Sequence, residues 1–222
     1  MFDRLAGRYD LFNHFTSFGL AGRWRALALG PLRAGMRVLD LGCGTGDLCL
    51  GAARRVGVSG EVVGLDFSEA MLAVARRRLE KERPVARVSF VREKAESLPI
   101  EEDPYDMVVS AFVLRNLYEN TRPILSGVLR SLKEGGGVSF VDMTEPENAW
   151  WRFCWRAYMN SVPALYGRAL FGKDYPSSYI TDSAKRFLRA AKFAKLLEEM
   201  GFKNVRVRSF MGGMVSLYQA VK

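Results

Sequence analysis

The chain has 222 residues, of which 49% are hydrophobic and 26% are charged, and its formal net charge is +9 at pH 7. This length suits one domain with a full core and is too short for two ordinary domains. No apolar run approaches the ~18 residues of a membrane-spanning helix, and no signal peptide is present, so we expect a cytoplasmic protein. Three cysteines without C-x-x-C spacing and a single histidine exclude the usual metal-binding patterns, so we expect no metal.

Residues 1–30 are predicted to form two short helices. Phe2, Leu5, Tyr9, Phe12 and Phe15 recur at helical spacing. Such a segment is either a cover over a ligand pocket or simply core, and both interpretations stay open. The lone histidine, His14, is either a general base or, more commonly for this residue type, an exposed or capping side chain.

Residues 36–142 alternate between strand and helix patterns. The strands are expected near 36–41, 61–65, 87–91, 105–111 and 137–142, and the helices near 46–56, 69–82 and 121–132, with Ser68 as an N-cap. This alternation predicts a parallel sheet with helices on both faces. Ligands bind such sheets beyond the carboxyl ends of the strands.

The alternation lapses after residue 144. An aromatic-rich helix is expected from Ala149, broken at Pro163 and continued towards Phe171, followed by a loop over 172–179 and a helix over 187–200. Alternating runs at 205–210 and 214–218, joined through Gly212 and Gly213, predict a closing hairpin. We therefore divide a single domain, 1–222, into an N-terminal helical cover (1–30), a ligand-binding core (36–142), an inserted helical cover for the substrate (145–200) and the hairpin (205–222).

The first predicted strand ends in a glycine-rich turn, V-L-D-L-G-C-G-T-G-D, over residues 38–47. Glycines at 42, 44 and 46 allow positive φ angles and let a ligand approach the backbone. The spacing is G-x-G-x-G rather than the dinucleotide fingerprint G-x-G-x-x-G. The turn is therefore a candidate ligand site, although a turn without a ligand, with its acids serving as caps, is the alternative.

The charge of this turn indicates which ligand it would hold. Asp40 and Asp47 flank the glycines and would repel a pyrophosphate. S-adenosylmethionine carries a sulfonium and an ammonium and no phosphate, so it fits better than NAD or FAD. The next strand ends in Asp66, whose carboxylate could accept from both ribose hydroxyls, and hydrogen bonds to a charged acceptor contribute roughly 1.5–3 kcal/mol each.

With these motifs the sequence resembles the class I S-adenosylmethionine-dependent methyltransferases. A narrower resemblance covers nearly the whole chain, and it is to the family that C-methylates polyprenyl quinol precursors in menaquinone and ubiquinone biosynthesis. The motifs that carry it are Y-D-L-F-N at 9–13, S-F-G at 17–19 with Trp24, G-T-G-D-L at 44–48, A-E-S-L-P at 95–99, F-V-L-R-N at 112–116, L-K-E-G-G at 132–136, Tyr179 with Ser183, and G-M-V-S-L at 213–217.

The resemblance implies an α/β fold of the class I, Rossmann-like type, with a seven-stranded, mostly parallel sheet, a C-terminal antiparallel hairpin and a helical cover. It maps donor binding onto Thr45, Asp66, Lys94, Ala95 and Ala111. With Asp40, Gly42 and Gly44 of the turn and with Phe67, these make the nine positions that we expect to bind the donor. The resemblance maps catalysis onto Arg115 and Asn116, which would act on the quinol hydroxyl through a water. The plainer interpretation is that Arg115 is an ion-pair partner and Asn116 a helix cap.

Some residues depart from the pattern of the family. Many relatives have Asn where Lys94 stands and Ser where Ala111 stands, and some have histidine at the positions of Phe187 and Tyr218. These departures leave open O- or N-methylation of another lipid or small metabolite. The net charge of +9 leaves methylation of RNA open, and donor binding without catalysis is a further alternative. The last would show as binding without turnover.

The positive charge is concentrated in residues 150–192, which hold eight basic residues against two acidic ones. Basic and aromatic residues interleave there, and Trp150, Trp151 and Trp155 suit a membrane interface, a wall around an isoprenoid tail, or ordinary core packing. The expected partners are therefore a prenylated quinol and the anionic inner face of a membrane. No nucleic acid is expected, and a homodimer stays open.

Overall fold

Seven strands form one mixed sheet in the computed structural model, which describes residues 9–98, 103–171, 183 and 187–222. Within these ranges the strands are β1 Arg37–Leu41, β2 Glu61–Asp66, β3 Arg87–Arg92, β4 Tyr105–Ala111, β5 Leu132–Met143, β6 Lys203–Phe210 and β7 Val215–Val221. Their order is β3-β2-β1-β4-β5-β7-β6. The strands from β3 to β5 pair in parallel, and β7 pairs antiparallel with both β5 and β6. The predicted fold class is confirmed.

The helices connect these strands much as the sequence predicts. They are α1 Tyr9–Thr16, α2 Ala21–Ala28, α3 Asp47–Val56, α4 Glu69–Glu82, α5 Thr121–Ser131, α6 Ala149–Phe171 and α7 Ala190–Glu199. Ser68 caps α4 as expected, since its side chain accepts from the backbone N–H of Met71 at 3.2 Å. Two stretches, Ala95–Ser97 and Leu114–Asn120, are 3₁₀ turns. The loop predicted over 172–179 lies outside the described residues.

One predicted break is wrong, because α6 runs through Pro163 without interruption. An interior proline removes a helical hydrogen bond and costs about 3 kcal/mol. Here Pro163 is buried, and so are Met159 and Gly167, one turn to either side of it. Burial of this face stabilises the helix more than the proline weakens it, which sequence propensity could not indicate.

The core lies on both faces of the sheet. Leu39 and Leu41 of β1 pack with α5 and α7 on one face, whereas Val38 packs with α2 and α3 on the other. Strands buried on both faces are apolar along their whole length, which explains the continuous apolar runs of β1 and β2. The chain winds outward in one direction from β1 and in the other from β4, so the gap between their carboxyl ends is the switch point where α/β sheets bind ligands.

Candidate functional site

The glycine turn lies at this switch point and depends on its glycines for shape. Gly42 has φ +73°, and a Cβ added there would stand 2.5 Å from Cγ1 of Val113. Gly44 has φ +54°, and its added Cβ would meet no atom of the described residues within 4 Å. The turn is thus in close contact with the segment after β4 at Gly42, whereas at Gly44 it borders open space.

That open space is a cavity of about 280 Å³, here called the first cavity. All nine residues predicted to bind the methyl donor line it, namely Asp40, Gly42, Gly44, Thr45, Asp66, Phe67, Lys94, Ala95 and Ala111. They come from the ends of β1, β2 and β4 and from the turn after β3. The fold therefore gathers residues that are far apart in sequence around one space.

Asp40 is the most unusual group in the first cavity. It is 1% exposed, and neither carboxylate oxygen has a hydrogen-bond partner among the described residues. Burial raises the pKa of Asp40 to about 7, and the neighbouring charge of Asp66 adds to this, whereas the Cys49 thiol and Arg25 lower it. A buried, unpartnered carboxyl lining a cavity is suited to a cationic ligand.

Asp66 holds the turn as well as lining the first cavity. Its Oδ2 accepts from the backbone N–H of Gly44 at 2.8 Å, and its Oδ1 accepts from that of Ser68 at 2.9 Å. A carboxylate offers about four lone-pair sites, so these two bonds are compatible with a further hydroxyl donor. The sequence pattern predicted the acid but not its contacts with the turn.

Asp47 does not carry the free negative charge that the sequence argument gave it. Its carboxylate pairs with Arg25 Nη1 at 2.9 Å and with Arg78 Nη2 at 2.5 Å. Both arginines are distant in sequence, so the neutralisation could not be read from the motif. Within the two strand ends and the turn, the electrostatic preference for a cation therefore depends on Asp40 and Asp66 rather than on Asp47.

Arg115 is buried, with 6% of its surface exposed, and it is bound to β5. Its Nη1 donates to Asp142 Oδ1 at 3.0 Å and to the carbonyl of Phe112 at 2.7 Å. The carboxyl of Asp142 also accepts from the backbone N–H of Arg115 at 3.1 Å. Burial raises the pKa of Asp142, and the contacts with Arg115 oppose that rise. The ion-pair interpretation of Arg115 is thus present in the structure.

Asn116, the other residue predicted to be catalytic, faces a different space from Arg115. It lines the first cavity, and its buried Oδ1 has no hydrogen-bond partner in the described part of the chain. Although Arg115 and Asn116 are adjacent in sequence, the structure therefore places them beside two different cavities.

The space beside Arg115 is a second cavity, also of about 280 Å³. Helices α1 and α6 cover it, joined by a hydrogen bond from the Tyr158 hydroxyl to the carbonyl of Thr16. Its lining is apolar and includes no Asp or Glu among the described residues; it consists of Phe12, Asn13, Thr16, Ser17, Phe18, Ala21, Trp24, Phe112, Arg115, Met143, Cys154, Trp155, Tyr158, Pro163, Met211, Met214 and Val215. This cavity is suited to an apolar ring.

Sequence reasoning missed several of these residues. Phe112 and Asn13 line both cavities, and three methionines line the second one. The available signal was position, since Phe112 follows β4 at the edge where ligands bind. His14 is exposed and lines neither cavity, so the structure gives no support to its role as a general base.

The three tryptophans of α6 have different environments. Trp155 is fully buried, whereas Trp150 is 69% and Trp151 44% exposed. Trp150 stacks on Phe153 with ring centroids 6.2 Å apart, and Phe153 is itself 66% exposed. Core packing therefore accounts for one tryptophan but not for the Trp150–Phe153 pair.

No helix within the described ranges is both long and apolar enough to cross a bilayer. No group of three or more His, Cys, Asp or Glu side chains in the same ranges could hold a metal ion.

Comparisons with known proteins agree with this geometry. The model of the ubiE/COQ5 methyltransferase family matches residues 1–222. A ubiquinone/menaquinone biosynthesis C-methyltransferase from Idiomarina loihiensis is 31% identical over all of this chain and 89% of its own length. A demethylmenaquinone methyltransferase from Lactiplantibacillus plantarum is 32% identical over all of this chain and 94% of its own length. A crystal structure of an S-adenosylmethionine-dependent methyltransferase from Aquifex aeolicus superposes with a TM-score of 0.65 at 20% identity, covering 91% of each chain.

Proposed function

Because the chain belongs to the ubiE/COQ5 methyltransferase family, we propose that it transfers a methyl group from S-adenosylmethionine to a ring carbon of a polyprenyl quinol. Demethylmenaquinol is the favoured acceptor, and the benzoquinol precursor of ubiquinone is the alternative. The observation that carries the proposal is the pair of adjacent cavities, one containing an unpartnered buried acid and the other apolar.

The first cavity fits the methyl donor. Asp40 would pair with the ammonium of the donor, which supplies the charge partner that this carboxyl lacks in the protein. Asp66 would accept from the ribose hydroxyls, and the half-exposed ring of Phe67 offers a flat face to the adenine. When bound, the donor supplies an electrophilic methyl group.

The second cavity fits the quinol ring and the start of its tail. Its methionines and aromatic rings offer adaptable apolar contacts to a flat ring. Arg115 is its one charged lining residue among those described, and it would stabilise the phenolate that forms when a quinol hydroxyl loses its proton. Asn116, beside the first cavity, would orient the water that takes this proton.

The reaction follows from this arrangement. Phenolate charge is shared with the ortho carbon, and an electron pair from that carbon forms the new bond to the methyl group while the bond from methyl to sulfur breaks. The ring carbon then loses its proton to water, which restores the aromatic ring as a phenolate, and the phenolate oxygen takes up a proton to give the methylated quinol. The protein contributes proximity, alignment of the methyl group with the ring carbon, and phenolate stabilisation.

The structure weakens the observations that favoured methylation of another metabolite or of RNA. Phe187 and Tyr218 are buried at 3% and 0% exposure and pack against Phe193, with ring centroids 5.2 and 4.7 Å apart. Neither lines the first or the second cavity, so these departures from the family pattern concern the core rather than the proposed acceptor site. RNA methylation was motivated by charge, but Arg156 and Arg189 both pair with Glu145.

The proposal includes a peripheral position on the anionic inner face of a membrane. Trp150 and Phe153 form an exposed aromatic pair on α6, and Arg168 is exposed on the same helix. Aromatic rings favour headgroup depth, and guanidinium groups favour anionic phosphates. A prenylated quinol held in a bilayer would then lie close to the helices that cover the second cavity.

The test uses reduced lipid extracts from cells lacking menaquinone methylation and from ubiquinone-blocked cells, incubated with the protein and labelled S-adenosylmethionine. Mass spectrometry should find the label on the ring carbon of a prenylated naphthoquinol. Label on the benzoquinol would select the other branch. Label on a heteroatom, or in neither quinone, would refute C-methylation of a quinol.

A further inference from the structure

Phe112 stands at the boundary between the two cavities. Among the described residues, only Phe112 and Asn13 line both of them. Phe112 follows the last residue of β4, so it is fixed to the edge of the sheet where the ligands would meet. The identity of this side chain therefore bears on both spaces at once.

The backbone of Phe112 is in the left-handed region, with φ +63°. For an aromatic residue this conformation is uncommon and strained. Two hydrogen bonds hold it: the N–H of Phe112 donates to the carbonyl of Val141 at 2.8 Å, and its own carbonyl accepts from Arg115 at 2.7 Å. Since Arg115 is in turn held by Asp142, the strained conformation is anchored to β5 on both sides.

The ring of Phe112 is also fixed by its neighbours. Trp24 meets it edge to face, with ring centroids 6.0 Å apart. The guanidinium carbon of Arg25 lies 6.0 Å from the ring centroid, and the same guanidinium pairs with Asp47 at the start of α3. The ring is thus packed between α2 and the sheet edge.

We propose that Phe112 is a positioning residue whose ring separates the two cavities, so that the acceptor ring can approach the methyl group with only one of its carbons. The strained backbone sets the direction of this ring, and Arg115 with Asp142 maintains the strain. The inference rests on the proposed function for its catalytic consequence. The separation itself is a property of the protein and can be tested without the acceptor.

The first experiment measures binding with two probes, S-adenosylhomocysteine for the first cavity and 1-naphthol for the second. In the wild type both should bind together, and saturation with S-adenosylhomocysteine should change the Kd of naphthol less than twofold. In Phe112→Ala the two cavities should become one space, so that each probe can occupy part of the volume that the other needs. Saturation with S-adenosylhomocysteine should then raise the Kd of naphthol tenfold or more. Independent binding in the variant would overturn the proposal even if quinol methylation were confirmed.

The second experiment measures turnover on the quinol. Phe112→Leu should leave the Kd of S-adenosylmethionine within threefold, lower kcat at least tenfold, and yield product methylated at a second ring position. Phe112→Tyr, which keeps the ring, should retain the wild-type product and folding. Phe210→Leu, at a partly buried ring that lines neither cavity, is the matched control. A Phe112→Leu variant with wild-type kcat and a single product would refute the positioning role.

The two experiments separate the two proposals. If the wild type methylates no prenylated quinol but the probes still compete only in Phe112→Ala, the proposed function fails and the separation stands. If the wild type methylates the quinol and the probes bind independently in both proteins, the proposed function stands and the separation fails. Loss of S-adenosylmethionine binding in Phe112→Leu would make the ring part of the donor site and would likewise overturn it.

Discussion

Arg115 and Asp142 form a buried ion pair with Nη1 and Oδ1 3.0 Å apart, and Asp142 has no exposed surface. The pair joins the segment after β4 to the end of β5, and its arginine lines the second cavity. Its energetic role differs from that of a surface ion pair, because removing one partner leaves the other charge buried without compensation.

Arg115→Ala is therefore expected to lower both stability and turnover. Breaking a buried pair costs roughly 3–5 kcal/mol, which chemical denaturation would detect. Arg115→Lys keeps the charge but loses the fixed fork of the guanidinium, so it should recover much of the stability while kcat stays at least tenfold low. Equal recovery of stability and kcat would mean that Arg115 has only a structural role.

The contribution of the same pair to the free energy of unfolding should decrease with increasing pH. Burial raises the pKa of Asp142 above its ordinary value. In the pH window between the ordinary and the raised pKa, the folded state therefore keeps a proton that the unfolded state has lost. The free energy of unfolding contributed by this group falls as pH rises through the window. Removing Arg115 removes the contacts that lower this pKa, so the window should widen in Arg115→Ala, as measured by thermal unfolding from pH 4 to 8.

Asp40 should show a conflict between stability and function. Its pKa of about 7 means that ionisation at neutral and higher pH occurs at the expense of stability. Asp40→Asn should therefore stabilise the protein without ligand by roughly 2–4 kcal/mol at pH 8 and hardly at pH 4. The pKa of Asp40 is raised by about three units, and each unit corresponds to at most about 1.36 kcal/mol. The same change should abolish binding of S-adenosylmethionine, as calorimetry would show.

Wild-type donor binding should follow the ionisation of Asp40. The cationic donor favours the carboxylate, so its affinity should rise from pH 5 to pH 7 and then level off. In Asp47→Asn, the control, this pH dependence should persist, because Asp47 is paired with Arg25 and Arg78 rather than unpartnered. An affinity that does not change with pH would contradict the role given to Asp40.

The sequence predicted the sheet and the first cavity well because their determinants are local. The alternation of apolar runs and helical patterns locates β1 to β4 within one or two residues, and the three glycines mark the turn. Asp66 ends β2, so strand order alone brings it to the turn. Nothing in these steps requires knowledge of contacts between distant side chains.

The parts that sequence reasoning missed depend on such contacts. The pairing of Asp47 with Arg25 and Arg78 joins three helices. An ion pair of Arg115 was one interpretation of the sequence, but the sequence did not identify its partner, Asp142 at the end of β5. Neither pairing has a local pattern. The second cavity consists of pieces of α1, α2, α6, the ends of β4 and β5 and the turn between β6 and β7, so only the packed structure shows that its lining is apolar. The course of α6 through Pro163 likewise depends on burial.

The contact between the glycine turn and Val113 can be tested by a double-mutant cycle. Gly42→Ala adds a Cβ 2.5 Å from Val113 Cγ1 at a backbone φ of +73°. Strain and overpacking should cost roughly 1–3 kcal/mol and weaken donor binding. Adding Val113→Ala removes the Cγ atoms and should recover part of the loss, leaving the cost of the positive φ.

Gly44→Ala is the matched control for that cycle. Its φ is also positive, but the new Cβ has open space, so Val113→Ala should not rescue it. Unfolding free energies of the five proteins and the wild type, measured under one condition, give both coupling energies. A coupling near zero between positions 42 and 113 would show that the turn can move away from the segment after β4.

The exposed aromatic pair of α6 leads to the last prediction. Trp150→Ala combined with Phe153→Ala should weaken binding to vesicles of anionic phospholipid at least tenfold, as measured by sedimentation, because the apolar rings and their contact with the interface are both lost. Val58→Ser and Val85→Ser are suitable controls. Their side chains are 82% and 73% exposed, and they precede β2 and β3 at the amino edge of the sheet, opposite to the cavities. If the control variants lose as much vesicle binding as the aromatic variant, or if the aromatic variant binds like the wild type, α6 is not the surface that meets the membrane.

Neutral vesicles add a second check. The attraction between basic residues and anionic lipid is absent there, so wild-type binding should be weaker and less sensitive to salt.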